Sequence, residues 1–357
     1  MAFRKKTIED VNVEGKTVLV RVDYNVPMKD GEVVEDMRIR ASIPTLDYLL
    51  NSGASKVILI SHLGRPDGEV KPEFSLAPVA KKLAELIPER NVQFVDATVG
   101  DKVKEAVASM PENGVLMLEN LRFSPDEEAN SEEFARAIVE ATGAEVFVQD
   151  GFAVIHRAHA STDAIARILP GVAGYLVEKE VSSLEGAMVE PEHPLLVIIG
   201  GAKVEDKAPM IEKFLPIADQ IAVGGKIAAD GYTATDPKIY VADKFIENEE
   251  GAKLDINEDC AAKICEMIHD AKTIIWNGTL GMVEDPLYAN SSLAVATEMG
   301  ISDATTIVGG GDTTGFVEQV LQDNPELTFT LVSTGGGASL ELLSGKQLPG
   351  LEVLRNS

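Results

Sequence analysis

TTIVGGGDTTGFVEQV, residues 305–320, decides how this chain is read. A β-branched run enters three glycines, and a helix-like stretch leaves them. A buried strand that turns on glycines into a helix N-terminus leaves backbone N–H groups converging outward, with the positive end of the helix dipole behind them. That is an anion site, usually a phosphate site. The same punctuation recurs at LLVIIGGAKVEDK (195–207) and TFTLVSTGGGASLELL (328–343). One such turn is ordinary in an α/β protein. Three, two of them carrying Lys203 and Asp312, point to a polyphosphate with a metal ion.

Working outward, the first half alternates short apolar runs with amphipathic stretches. TVLVRVDY (17–24), KVILISHLG (56–64), GVLMLENLRF (114–123) and EVFVQDGF (145–152) read as strands, with helical patterns around 40–52, 76–87, 101–109 and 131–142. Nearly continuous apolar strands alternating with helices predict a parallel sheet covered on both faces. After Pro170 and Gly171, the positions Val177, Val181, Leu184 and Met188 follow helical spacing until Pro191 and Pro194 end the pattern. This segment divides two βα series and is read as a helix connecting two domains. The rhythm resumes at 195–200, 218–224, 273–277, 305–308 and 328–333, a second parallel α/β domain. The predicted fold is α/β, two Rossmann-like domains joined by a hinge helix. Residues 1–170 form the first domain, 171–190 the connecting helix and 191–342 the second domain, with 343–357 packing back on the first.

The chain has 357 residues, 45% of them hydrophobic, which suits two domains of ordinary size and excludes disorder. Its apolar runs are strand-length, and the start MAFRKKTIED lacks the apolar region of a secretory signal. Cys260 and Cys265 lie on different faces of one predicted helix and offer neither a disulfide nor a metal pair. A cytoplasmic location is expected. The formal charge of −26 excludes nucleic acid and anionic membrane as partners, because phosphate backbones require a basic surface. The acidity itself is read as a solvated surface.

Against that background a basic cluster is informative. Arg38 follows the turn after the first strand, His62 and Arg65 close the second in SHLGRP, Arg122 ends LENLRF, and Arg157 stands between His156 and His159. A single arginine at a strand end is a surface ion pair more often than not. Several at one edge of one sheet bind carboxylate or phosphate bidentately and imply a small, multiply anionic substrate. Asp23 and Asn25, in RVDYNVP, sit at the same edge and can hold hydroxyls. In the second half, Lys203 and Lys207 are four apart at a helix start, a position unfavourable for cations unless an anion is bound. Asp312 reads either as an N-cap carboxylate or as a magnesium ligand beside nucleotide phosphates. The P-loop, dinucleotide and protein-kinase signatures are absent.

Taken together, RVDYNVP, MRIRASIPT, SHLGRP, LENLRF, HRAHAS, GGAKVEDK, WNGTLGMVE, GGGDTTG and STGGGASLELLSGKQLPG resemble the motifs of the phosphoglycerate kinase family, in order, from about residue 5 to 355. The resemblance implies reversible phosphoryl transfer between 1,3-bisphosphoglycerate with ADP and 3-phosphoglycerate with ATP, Mg²⁺ as cofactor, and a monomer. It assigns Asp23, Asn25, Arg38, His62, Arg65, Arg122 and Arg157 to the glycerate. It assigns Gly201, Lys203, Lys207, Gly224, Asn277, Glu284, Gly310, Gly311, Asp312 and Thr313 to the nucleotide, with Asp312 on the metal. Arg38, Lys203, Gly311, Gly336 and Gly337 would surround the transferred group, with Gly335 adding a backbone donor. A kinase for another small carboxylate and a non-catalytic nucleotide sensor are the rival readings. Retention of Asp23, Asn25, His62 and four arginines disfavours the first, and intact Lys203, Asp312 and Arg38 disfavour the second.

The departures from the family pattern lie chiefly in IAVGGKIAADGYTATDPKIYVADKF (221–245), where about one helix–strand unit is missing from the adenine and ribose neighbourhood. Poor purine discrimination is the expected consequence. QDGFA (149–153) bears on the substrate pocket. Thr279, where a proline is usual, is expected to relax the loop beside Asn277.

Overall fold

The computed structural model describes residues 3–201 and 204–357. The chain divides into two compact units. One comprises residues up to Lys179 together with Gln347–Ser357, and the other comprises Glu180–Lys346.

The first unit is built on six parallel strands: β1 (Thr17–Arg21), β2 (Lys56–Ile60), β3 (Val92–Val95), β4 (Gly114–Leu118), β5 (Val146–Gln149) and β6 (Gly171–Ala173), in the order β3-β4-β2-β1-β5-β6. The central strands are buried on both faces, as their unbroken apolar runs require. Helices Met37–Asn51, Ala77–Leu86, Asp101–Ser109 and Glu132–Thr142 lie between strands where the periodicity puts them. The last is bounded by local chemistry. Ser131 accepts from Phe134 N at 3.2 Å at its start, and Gly143 closes it at φ 63°. The C-terminal segment is tied into this unit by Gly350 N donating to Ile155 O at 2.9 Å and Arg355 N to Gly171 O at 3.1 Å.

The second unit repeats the architecture with β7 (Leu195–Ile199), β8 (Gln220–Val223), β9 (Ile239–Val241), β10 (Thr273–Asn277), β11 (Thr305–Gly309) and β12 (Leu331–Val332), ordered β9-β8-β7-β10-β11-β12 and parallel throughout. That is the doubly wound order, and its direction reverses between β7 and β10. Such sheets hold ligands beyond the carboxyl ends of the strands at this switch point. Trp276 is fully buried in β10 and donates Nε1–H to Gly278 O at 2.8 Å, fixing the strand's exit.

Three strands of the two six-stranded sheets have no counterpart in the sequence reading: β3, β6 and β9. All lie at sheet edges. β3 and β9 are mostly half-buried, so neither needs a long apolar run, and β6 spans only three residues.

Helix Tyr175–Val189 contains the boundary between the units and ends before Pro191. Its start is fastened inside the first unit. Tyr175 N donates to Thr45 Oγ1 at 3.0 Å, Leu176 N to Asp150 Oδ1 at 3.0 Å, and Thr45 Oγ1 to Asp150 Oδ1 at 3.0 Å. Asp150 is fully buried, and its Oδ2 has no hydrogen-bond partner, which a neutral carboxyl tolerates better than a carboxylate. Burial pushes its pKa up to about 8, opposed by the bonds from Thr45, Leu176 and Val177. The folded protein therefore holds a proton that the unfolded chain releases near pH 4, so this group's effect is a loss of stability as pH rises from about 4 to about 8. Asp150→Asn cannot ionise and is expected to shrink the difference in denaturation midpoint between pH 5 and pH 8. An unchanged difference in the variant contradicts the assignment.

Candidate active site

β1 ends at Arg21, and VDYNVP leaves the sheet at its carboxyl edge. Asp23 is buried, and its Oδ2 accepts from Arg38 Nη1 at 2.7 Å. Arg38, in the first turn of helix Met37–Asn51, also donates to Asn25 O at 3.1 Å and keeps 30% of its side chain exposed. Asn25 Oδ1 accepts from Gly64 N at 2.8 Å, which binds the turn after β1 to the SHLGRP loop after β2. The loop after β4 joins them through Arg122, whose Nη1 donates to Gly64 O at 2.9 Å and whose Nη2 meets Glu128 at 3.2 Å. Three of the predicted loops therefore form one hydrogen-bonded rim.

Electrostatics brings in the remaining basic residues. His62 is buried, and desolvation first, then Arg21, Arg122, Arg38 and His159, hold its pKa well below the usual imidazole range. His159 falls to about 4 through desolvation and then Arg122, Arg21, Arg157 and His156. Desolvation lowers Arg122 too, Glu128 opposes this, and Arg157 and Arg65 add to it. Arg65 and Arg157 are exposed, and Arg157 Nε donates to His156 Nε2 at 3.2 Å. Five arginines thus act on a common centre in a chain of net charge −26, an arrangement that calls for an anion.

Arg21 is a member of this group that the sequence reading passed over. It lies within an apolar strand run, is 1% exposed, and donates Nε–H to Ser161 Oγ at 2.8 Å. Ser161 in turn bonds the buried Glu127 through both its N–H, at 3.0 Å, and its hydroxyl, at 2.5 Å. A lone charge closing an otherwise apolar strand, TVLVR, was the available signal.

In the second unit, β7 and β10 exit side by side at the switch point. Their loops touch so closely that a Cβ on Gly278 would lie 2.1 Å from Gly200 O, and Gly278 has φ 97°. Gly201 N donates to Thr279 O at 2.8 Å, so the loop beside Asn277 is tied across the switch point even without a proline at 279. Asn277 is buried. Its Oδ1 accepts from Lys207 Nζ, while its Nδ2 has no partner among the described residues. Gly310 passes within van der Waals reach of the same amide, and Gly336 lies against Gly311, so Gly201, Lys207, Asn277, Gly310, Gly311 and Gly336 share one neighbourhood. Gly336 is half-buried and Gly337 exposed. Lys203, predicted at the transferred group, lies outside the described residues.

Two residues assigned to the ligand also make bonds within the fold. Thr313 is buried and its Oγ1 accepts from Gly278 N at 2.8 Å, while Gly335 N donates to Ser333 Oγ at 3.0 Å. Asp312 is exposed in the first turn of helix Gly311–Asp323, whose N-cap, Gly310, has no side chain to bond. A cavity of about 250 Å³ lies beside these loops, with Asp312 and Glu284 at its polar side and Phe245, Leu254, Leu280 and Met282 among its walls. Phe245 and Leu254 come from an antiparallel hairpin, Phe245–Glu247 with Lys253–Ile256, so the shortened 221–245 region still has walls. Gly224 is buried against one of them, since a Cβ there would lie 2.7 Å from Leu280. Among the described residues no group of three metal-ligating side chains occurs, and no helix is long and apolar enough to cross a membrane.

One doubly wound unit with a cationic rim and one with a glycine-amide neighbourhood, a lysine and an acidic cavity edge define a two-domain α/β kinase. The sequence profile of phosphoglycerate kinase matches residues 8–247 and 229–346. A phosphoglycerate kinase of Clostridium perfringens is 41% identical over 403 aligned positions, covering 100% of both chains, and one of Clostridium novyi is 40% identical over 402, covering 99% of each. Among solved structures, the phosphoglycerate kinase of Pyrococcus horikoshii superposes with a TM-score of 0.85 at 28% identity, and that of Coxiella burnetii with 0.79 at 30%, each covering 98% of both chains. The chain belongs to the phosphoglycerate kinase family. The 403 aligned positions exceed its 357 residues, so the Clostridium perfringens relative carries residues that this chain lacks.

Proposed function

We propose that this chain transfers a phosphoryl group reversibly and directly between the carboxyl group of 3-phosphoglycerate and ADP, as a 3-phosphoglycerate kinase. The observation that carries the reading is the cationic rim of the first unit, where Arg21, Arg38 and Arg122 act on the buried His62 and Arg65 and Arg157 act on Arg122, in a chain of charge −26. A small molecule bearing both a carboxylate and a phosphate compensates that charge, and Asp23 and Asn25 are placed beside it to meet a hydroxyl.

The acceptor carboxylate is ionised at neutral pH, so the reaction needs no general base. In the ATP-consuming direction a carboxylate oxygen forms a bond to the γ-phosphorus as the bond from that phosphorus to the β–γ bridging oxygen breaks, and ADP departs. The work is alignment and neutralisation of the equatorial oxygens. Arg38 supplies charge from the substrate side. Lys203, Lys207, Asn277 and the amides near Gly201, Gly311, Gly336 and Gly337 supply it from the nucleotide side. The unpartnered Asn277 Nδ2 supports this role, because a buried donor without an acceptor fits an anion. Asp312 would hold Mg²⁺, a single exposed carboxylate suiting an ion whose other ligands are waters and phosphate oxygens, and the ion would add charge neutralisation. Glu284 would face the ribose. Bringing the two ligands together with water excluded is assigned to bending about helix Tyr175–Val189.

Arg38→Ala and Lys203→Ala are each expected to lower kcat more than about a hundredfold while circular dichroism stays native. Near-normal turnover in either removes that residue from the transition state. Phe245, Leu254, Leu280 and Met282 wall the base cavity, the oxygens of Asp255 are occupied by Ser291 and Ile256, Lys226 is paired with Asp230 and Lys253 lies over the Phe245 ring, which leaves few groups to read a purine edge. The ratio of kcat/KM for ATP over GTP is therefore expected below about a thousandfold, and a larger ratio refutes the loose-pocket account.

A further inference from the structure

We propose that Arg21 is a positioning residue that fixes His62 in its Nε2–H tautomer, so that the imidazole meets the substrate as a hydrogen-bond donor. The inference rests on the reading of the first unit as the glycerate site and adds a residue to it. Arg21 Nη2 lies 3.1 Å from His62 Nδ1. A guanidinium has only donors, so the nitrogen facing it must accept, and the ring proton of the neutral imidazole must sit on Nε2. Asp23 Oδ1, at 3.8 Å from the same Nδ1, is too far to hold a proton there.

Arg21 can impose this because it cannot move. It is buried on every side, and each nitrogen is engaged. Nε donates to Ser161 Oγ at 2.8 Å, Nη1 to Val22 O and Ser61 Oγ, and Nη2 to His62. Ser161 is anchored by Glu127, whose carboxylate compensates the guanidinium without touching it directly. The charged and titratable groups around His62 are Arg21 on β1, Arg38 on the helix after it, Arg122 after β4, His159, and the one acidic neighbour Asp23. With one carboxylate among so many cations, the ring stays neutral through the physiological range, which burial reinforces. A neutral His62 therefore donates one hydrogen bond at any working pH, where an ordinary surface histidine changes charge.

The test is nitrogen NMR of the full chain, labelled with ¹⁵N-histidine, from pH 5.5 to 8.5 without ligand. The expected result is a His62 signal of the Nε2–H tautomer that does not titrate. An Nδ1–H tautomer, or an ordinary midpoint near 6.5, overturns the proposal whatever the variants do. In Arg21→Met the ring is expected to mix tautomers and titrate, with KM for 3-phosphoglycerate rising about tenfold or more toward high pH and kcat changing less. A tautomer unchanged in a folded Arg21→Met overturns the proposal, and if Arg21→Met does not fold, the tautomer and titration of His62 in the unmutated chain decide it alone. Because the NMR readout needs no activity, an inactive protein with a locked His62 contradicts the kinase reading and leaves the tautomer assignment standing.

Discussion

The constraint on which this structure depends is the crowding of positive charge at the carboxyl edge of the first sheet. Burial first, and then Arg21 and Arg122 on both rings, Arg38 on His62 and Arg157 on His159, raise the cost of protonation so far that both rings are held neutral. Asp23 holds Arg38, Glu128 meets Arg122, and Ser161 with Glu127 holds Arg21. The acidic partners are too few to neutralise the cluster, and burial of Arg21 and Arg122 keeps water from doing so. Such a cluster calls for an anion of several charges.

The second unit solves the complementary problem with backbone rather than side chains. Its doubly wound order brings β7 and β10 together with their loops leaving at one point, and only glycine tolerates the approach of Gly278 to Gly200. What that closeness produces is a neighbourhood of amides around one lysine, Lys207, and one buried amide, Asn277. Trp276 and Thr313 stitch the loop after β10 to its own strand and to the helix after β11, which keeps the amides in register. Preorganisation of this kind is where a transfer without general base catalysis finds its rate enhancement.

Much of this was legible in the sequence, for definable reasons. The long central strands were visible because both faces are buried, which demands unbroken apolar runs such as LLVII and KVILI. The edge strands β3 and β9 were not, because half-burial demands little of composition. Arginines beyond strand ends stood out, whereas Arg21, inside a strand, did not, although it is the most enclosed of them. Motif correspondence assigned Gly335 to a ligand, but it carries no information that the fold engages its N–H with Ser333 Oγ. Asp150 is a comparable case. Read as part of the substrate loop, it turns out to fasten the start of the helix that spans the unit boundary.

The central claim is that the phosphoryl group passes in one step between two anions held by the two units, with no residue of the chain ever carrying it. The stereochemical course at phosphorus measures this directly. With ATP made chiral at the γ-phosphoryl by oxygen isotopes and 3-phosphoglycerate as acceptor, single in-line displacement predicts inversion of configuration in the acyl phosphate formed. Retention, which requires a phosphorylated enzyme between two displacements, contradicts the account.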